Sequence, residues 1–148
     1  MATCVGFPDR SLDLPQHTRP SVLLSISMYE GLEHMNLLLQ NALNFTESTT
    51  MLMVHFDASS DYPSKEDNDA NFEWIWNHPR ITINCDRVDS SWWSGEILHS
   101  HISNMHFALQ RRIQPKFIVF QASNMLWVRR GMEAWVHKER TSVPRITT

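Results

Sequence analysis

The stretch Met51–Ser60 reads MLMVHFDASS, and five of its first six residues are apolar. A run of this length, with Val and Phe inside and polar residues at its end, predicts a buried strand. In open α/β sheets, ligands lie beyond the carboxyl ends of parallel strands. Asp57 follows the last apolar residue and so stands at such an end. An aspartate there also suits a plain capping turn, so position alone leaves both readings open.

Working outward, Ser21–Met28 (SVLLSISM) predicts a strand before this one. Between the two, Met35, Leu38, Leu39 and Ala42 recur at helical spacing, which predicts a helix over Glu30–Leu43 with Glu30 and Glu33 in its first turn. Beyond Ser60 the chain is polar and acidic as far as Asn71. A short helix is then expected to carry Phe72, Trp74 and Ile75, ending at His78-Pro79. Arg80–Cys85 alternates and is β-branched, as a third strand would be. Glu96–Gln110 predicts a second long helix with Leu98, Ile102, Met105 and Leu109 as its buried stripe. Lys116–Phe120 predicts a fourth strand, with a polar break over Gln121–Asn124. A last helix is expected over Arg130–Lys138, burying Met132, Trp135 and Val136.

Strands alternating with helices imply an α/β domain with a mainly parallel sheet flanked by helices, of Rossmann-like kind. Residues 1–20 carry three prolines and read as an irregular leader; 21–138 form the domain; 139–148 have no period and read as a tail. With 148 residues, 42% hydrophobic and 20% charged, the chain has the size and composition of one ordinary domain. A net charge of -3 without a basic block argues against nucleic-acid binding. No run reaches the roughly 20 apolar residues of a membrane span, and the first 15 residues do not have the form of a signal peptide. Cys4 and Cys85 form no CxxC pattern and are expected to be free thiols.

Three further groups could carry chemistry. His99, His101 and His106 fall on the second long helix. His99 and His106 share a face but lie about 10 Å apart along the axis, too far for one zinc ion. Surface or cleft-lining imidazoles are expected. Trp92-Trp93-Ser94-Gly95-Glu96 leads into that helix, where free amides can meet an anion and glycine admits close approach. The same residues also suit an ordinary helix start capped by Ser94. Ser123 and Asn124 follow the fourth strand, a second ligand-facing position or a second capping turn.

Four blocks together resemble the Core-2/I-branching N-acetylglucosaminyltransferase family and its xylosyltransferase relatives. They are SVLLSISMYEGLEHMNLLLQNAL, MLMVHFDASS, RVDSSWWSGEILHSHISNMHFAL and FIVFQASNMLWVRRGMEAWV. His55, Asp57, Ala58 and Ser60 match the family's strand with a histidine and aspartate, Trp93 and Gly95 its Trp-Gly turn, and Ser123 the second serine of its block ending in SDYP. The likeness runs from Ser21 to Val136. It implies the donor-binding half of a GT-A type glycosyltransferase, which passes a sugar from a UDP-sugar to an acceptor hydroxyl on a glycan or protein. His55, Asp57, Trp93, Ser94, Gly95, Ser123 and Asn124 would line the donor cleft. No cofactor is implied, and metal-independent binding is expected.

The chain departs from that pattern in two places. Asn124 stands where the family has an acid, and the proline after it is missing. Asn is neither a carboxylate base nor a full charge for a metal. The family's catalytic glutamate and diphosphate-binding basic residues belong to a later half without an equivalent here. Arg129 and Arg130 are candidates for the missing charge, but surface solvation is the role expected of them. An incomplete sheet would also leave an apolar edge through which chains could associate. Behind an anchor in a longer protein, the domain would work in the Golgi lumen. Six tryptophans also fit a non-catalytic module that binds carbohydrate or protein. A different α/β enzyme is least supported, for no nucleophile elbow or phosphate loop occurs.

Overall fold

A computed structural model describes residues 19–58, 73–84, 86–88 and 97–142. Among these, the elements run β1 (Val22–Met28), α1 (Leu32–Phe45), β2 (Thr50–Phe56), α2 (Glu73–Asn77), β3 (Ile81–Asn84), α3 (Ile97–Gln110), β4 (Phe117–Ala122) and α4 (Met132–Ser142). The four strands form one sheet in the order β3-β2-β1-β4. Every pairing is parallel, with Val22 opposite Thr50 and Phe117, and Leu52 opposite Ile81. This is an α/β fold with an all-parallel sheet flanked by helices, compatible with a Rossmann-like architecture. Cys4 and Cys85 lie outside the described residues. No described helix is long and apolar enough to cross a membrane.

β1 and β2 are buried along their whole length, as central parallel strands covered on both faces must be. Because side chains alternate across a strand, each strand divides its residues between two faces. Leu24, Ile26, Met28, Leu52, Val54 and Phe56 face one way. They pack with Met35, Leu38, Leu39 and Ala42 of α1 and Ile75 of α2. The stripe expected for α1 is thus the one it buries. The helix closes where Thr46 donates through both its amide and its hydroxyl to the Ala42 carbonyl, at 3.0 and 2.7 Å.

The opposite face is different, and it corrects the reading of α3. Leu98, Ile102 and Leu109, expected to be buried, are 52%, 46% and 71% exposed. The helix instead turns Ser100, His101, Asn104, Phe107 and Ala108 inward. The reason lies in what the sheet presents. Leu23, Met51 and Met53 take Phe107 and Ala108, but nearer the carboxyl ends stand Ser25 and Asn84. A buried polar group without a partner costs more than an exposed leucine. Asn104 answers both, donating to Ser25 Oγ at 2.9 Å and accepting from Asn84 Nδ2 at 3.0 Å.

Two boundaries also move. β4 continues through Gln121 and Ala122, which were expected to break it. Gln121 is buried because its side chain holds the returning chain, accepting from Trp127 Nε1 at 2.8 Å and donating to the Met125 carbonyl at 2.9 Å. α4 runs to Ser142, beyond the expected end at Lys138. Of its expected core residues only Met132 is buried; Trp135 is 62% exposed and Val136 half-buried. Glu133 goes in instead. Its Oε1 accepts from the Glu47 amide at 2.8 Å and the Thr50 hydroxyl at 2.5 Å, two donors at the start of β2.

If α3 is seated through its polar face, substitutions on its two sides should differ sharply. Asn104→Ala is expected to lower unfolding free energy by about 2 kcal/mol through stranded buried partners. Leu109→Gln should change it by less than about 0.5 kcal/mol. Urea unfolding of both variants, followed by circular dichroism, checks the contrast.

Candidate functional site

The strand order reverses between β1 and β4. From β1 the chain steps through α1 to β2 and on to β3, and then α3 carries it back to the other side of β1. α1, which follows β1, and α3, which leads into β4, therefore lie over opposite faces of the sheet. A crevice opens at such a switch point, and ligands of open α/β sheets bind there. The residues at this rim are Ser27 to Glu30 after β1, His55 to Ala58 after β2, and Ser123 and Asn124 after β4.

Asp57 is almost wholly buried, and its amide donates to the Met28 carbonyl at 3.0 Å, extending the β1–β2 ladder past the strand end. Ser123 is also buried, and its carbonyl accepts from His34 Nε2 at 2.9 Å. His34 lies in the first turn of α1, so the helix that follows β1 braces the turn that follows β4. Asn124 is exposed. β1 separates Asp57 from Ser123, and two strand spacings put them roughly 10 Å apart. The rim thus brings together His55, Asp57, Ser123 and Asn124. Trp93, Ser94 and Gly95 lie outside the described residues. Arg129 and Arg130 do not belong to the rim. Arg130 precedes by three positions Glu133, which is bonded at the opposite, amino-terminal end of β2.

The segment Asp86–Val88 is stitched over the end of β2. Val88 donates its amide to His55 Nε2 at 3.1 Å, and its carbonyl accepts from the Ala58 amide at 3.1 Å. Arg87 donates to the Asp57 carbonyl through Nε at 3.2 Å and Nη2 at 2.6 Å, and to the Ala58 carbonyl at 3.0 Å. Because His55 Nε2 accepts, Nδ1 carries the proton of the neutral ring; it is buried and has no partner among the described residues. Burial pushes the His55 imidazole below its ordinary value of 6.5, against opposing contributions from the Asp86 backbone and the Asp57 carboxylate.

A buried polar layer supports this segment from below. The Asn84 carboxamide donates to Ser103 Oγ and Asn104 Oδ1 at 2.9 and 3.0 Å and accepts from the Asp86 amide at 3.0 Å. Ser103 in turn donates to the Asp86 carbonyl at 3.2 Å. Asn104 reaches Ser25 Oγ and the Met53 carbonyl, at 2.9 and 3.2 Å. Ser25 Oγ also pairs with His101 Nδ1 at 2.9 Å. His101 stacks on Phe120 with ring centres 4.4 Å apart and planes 8° from parallel. Burial lowers its pKa too.

No known protein family and no characterised protein matches this sequence.

Sequence reasoning missed Arg87, Asn84, Ser25 and Asn104, and it read His101 only as one of three helix histidines. A signal for part of the set was present. In VLLSISM and TMLMVHF the polar residues Ser25, Ser27 and His55 fall on one face of adjacent buried strands, toward their carboxyl ends. Among the described residues no three His, Cys, Asp or Glu gather as a metal-binding group. What this arrangement can do is hold donors and acceptors in fixed positions along the rim.

Both buried rings are harder to protonate folded than unfolded. As pH falls below 6.5 the unfolded chain takes up these protons first, so stability rises with pH across this window and falls as pH drops toward the lower, folded values. Unfolding free energy is expected to be greatest above about pH 7 and to decline below it, by at most about 1.4 kcal/mol per pH unit for each ring. His78 shifts in the same direction, so the contribution of His101 is read as the difference between the wild type and His101→Gln. Urea titrations at several pH values measure it; equal slopes would exclude His101 as a contributor.

Proposed function

We propose that this chain is a nucleotide-sugar-binding domain of glycosyltransferase type, taking a UDP-sugar at the carboxyl rim of its sheet. The observation that supports it most is that Asp57 and Ser123 flank β1 where the strand order reverses. The likeness of the four sequence blocks to the Core-2/I-branching and xylosyltransferase group supports the same reading, with a GT-A arrangement implied. In this reading Asp57 accepts hydrogen bonds from the uridine, and Ser123 and Asn124 meet the sugar or diphosphate. Arg87, not Arg129 or Arg130, is the cation this reading places near the nucleotide, since it lies beside the Asp57 main chain. His55 positions the segment that carries Arg87 and is not itself a contact.

Sugar transfer breaks the bond between the anomeric carbon and the diphosphate oxygen, which leaves with the electron pair. The acceptor hydroxyl forms the new bond and must lose its proton to a base. Asn124 cannot be that base, so the role assigned to these residues is binding and orienting the donor. A second reading, a non-catalytic interaction module, is favoured by the exposed Leu98, Ile102, Leu109 and Phe120 around α3 and β4. In that case mass in sedimentation would rise with concentration and nucleotide would have no effect.

Isothermal calorimetry with UDP and UDP-sugars tests the preferred reading. Binding is expected in the millimolar range or tighter, and Asp57→Asn is expected to weaken it about tenfold by removing a charged acceptor of similar size. No heat at millimolar nucleotide would sink the proposal.

A further inference from the structure

A second cleft opens on the α1 face of β4. After β4 the chain returns through residues 123–131 to the start of α4. Between that segment, Val119 of β4 and α4 lies a cleft of about 500 Å³. This volume is in the range of small-molecule sites. Val119, Trp127, Val128 and Trp135 are among its apolar lining, and Arg129 and Arg130 also line it.

One wall is fixed in advance. Asn41 of α1 clamps the Trp127 main chain, accepting from its amide at 2.7 Å and donating to its carbonyl at 3.0 Å. The indole is held separately, through Nε1 to Gln121 at 2.8 Å. The opposite wall depends on Gly131, whose φ of +111° lets the chain reverse at the foot of α4. That reversal sets the two arginines and Trp135 against one cleft. The charge is one-sided. Neither arginine has a hydrogen-bond or ion-pair partner among the described residues, and no acidic side chain lines the cleft. Glu133, the nearest acid in sequence, is occupied at Glu47 and Thr50.

We propose that this cleft binds a small aromatic anion, with its rings against the indoles of Trp127 and Trp135 and its carboxylate, sulfonate or phosphate group on Arg129 and Arg130. Offset stacking on an indole and charge-assisted hydrogen bonds from a guanidinium are the interactions these side chains supply. The site is independent of the nucleotide reading. It lies on the α1 face of the sheet, whereas His55, Ser25 and His101 occupy the α3 face.

Fluorescence titration with two dyes tests it, anilinonaphthalenesulfonate and its uncharged analogue N-phenylnaphthylamine. The wild type is expected to bind the sulfonate about tenfold more tightly than the neutral dye. The double variant Arg129→Glu/Arg130→Glu should lose that preference while keeping its affinity for the neutral dye. Trp135→Ala should weaken both. All these positions are exposed, and unchanged circular dichroism and melting temperature confirm that the variants fold. Equal sulfonate affinity in the wild type and the double variant would overturn the proposal. So would displacement of the dye by UDP, which would put it at the carboxyl rim.

Discussion

The carboxamide of Asn104 is fully buried between a helix and the middle of a parallel sheet. A group in that position must be paired within the protein, since water does not reach it. It is paired on both sides, with Ser25, the Met53 carbonyl and Asn84. Those partners come from three adjacent strands, so one side chain fixes both the rotation of α3 and its height over the sheet. Hydrophobic contact alone would not do this. Leu98, Ile102 and Leu109 offer a good apolar stripe that would seal the same face, but would leave Ser25 and Asn84 stranded. The helix accepts exposed leucine because the alternative is a buried unmet donor.

This constraint reaches the rim. Asn84 and Ser103 together hold both main-chain groups of Asp86. Two residues on, Val88 meets His55, and Arg87 between them caps the Asp57 and Ala58 carbonyls. The geometry at the end of β2 therefore rests on the layer beneath. His55 and His101 belong to this arrangement as neutral rings, which burial enforces. Acid acts on both at once, since burial penalises the charged form of either ring.

How much of this the sequence discloses depends on the range of the interaction. The alternation of strands and helices, the parallel sheet and the buried stripe of α1 follow from local periodicity, and all are present. Rotation of α3 does not follow, because the helix carries two inward candidates. Leu98, Ile102, Met105 and Leu109 recur at helical spacing, and so do His101, Asn104 and Ala108. Spacing cannot choose between them; Ser25 and Asn84 do, and they lie 79 and 20 residues from Asn104. Glu133 hid for the same reason. A charged residue in a short helix reads as exposed until the donors at Glu47 and Thr50 are known to face it. Asp57 and Ser123 were legible as rim residues because a position just past a strand end is a local property. Arg87 was not, since its place depends on how the chain leaves β3.

The two faces of the sheet thus divide two tasks that cores usually combine. On the α1 face, aliphatic side chains are interchangeable in kind, and contact area sets their contribution. Across the α3 face, hydrogen bonds have direction, and each admits one arrangement. A dry layer tolerates small shifts of one element against another; a bonded layer resists them, because a donor displaced by an ångström loses its acceptor. Placing the bonded layer directly under the carboxyl rim gives rigidity to that rim, the place where open α/β sheets generally meet ligands. The apolar surface left outside on α3 is the consequence of that choice: the helix has only one face to turn inward, and the polar layer claims it.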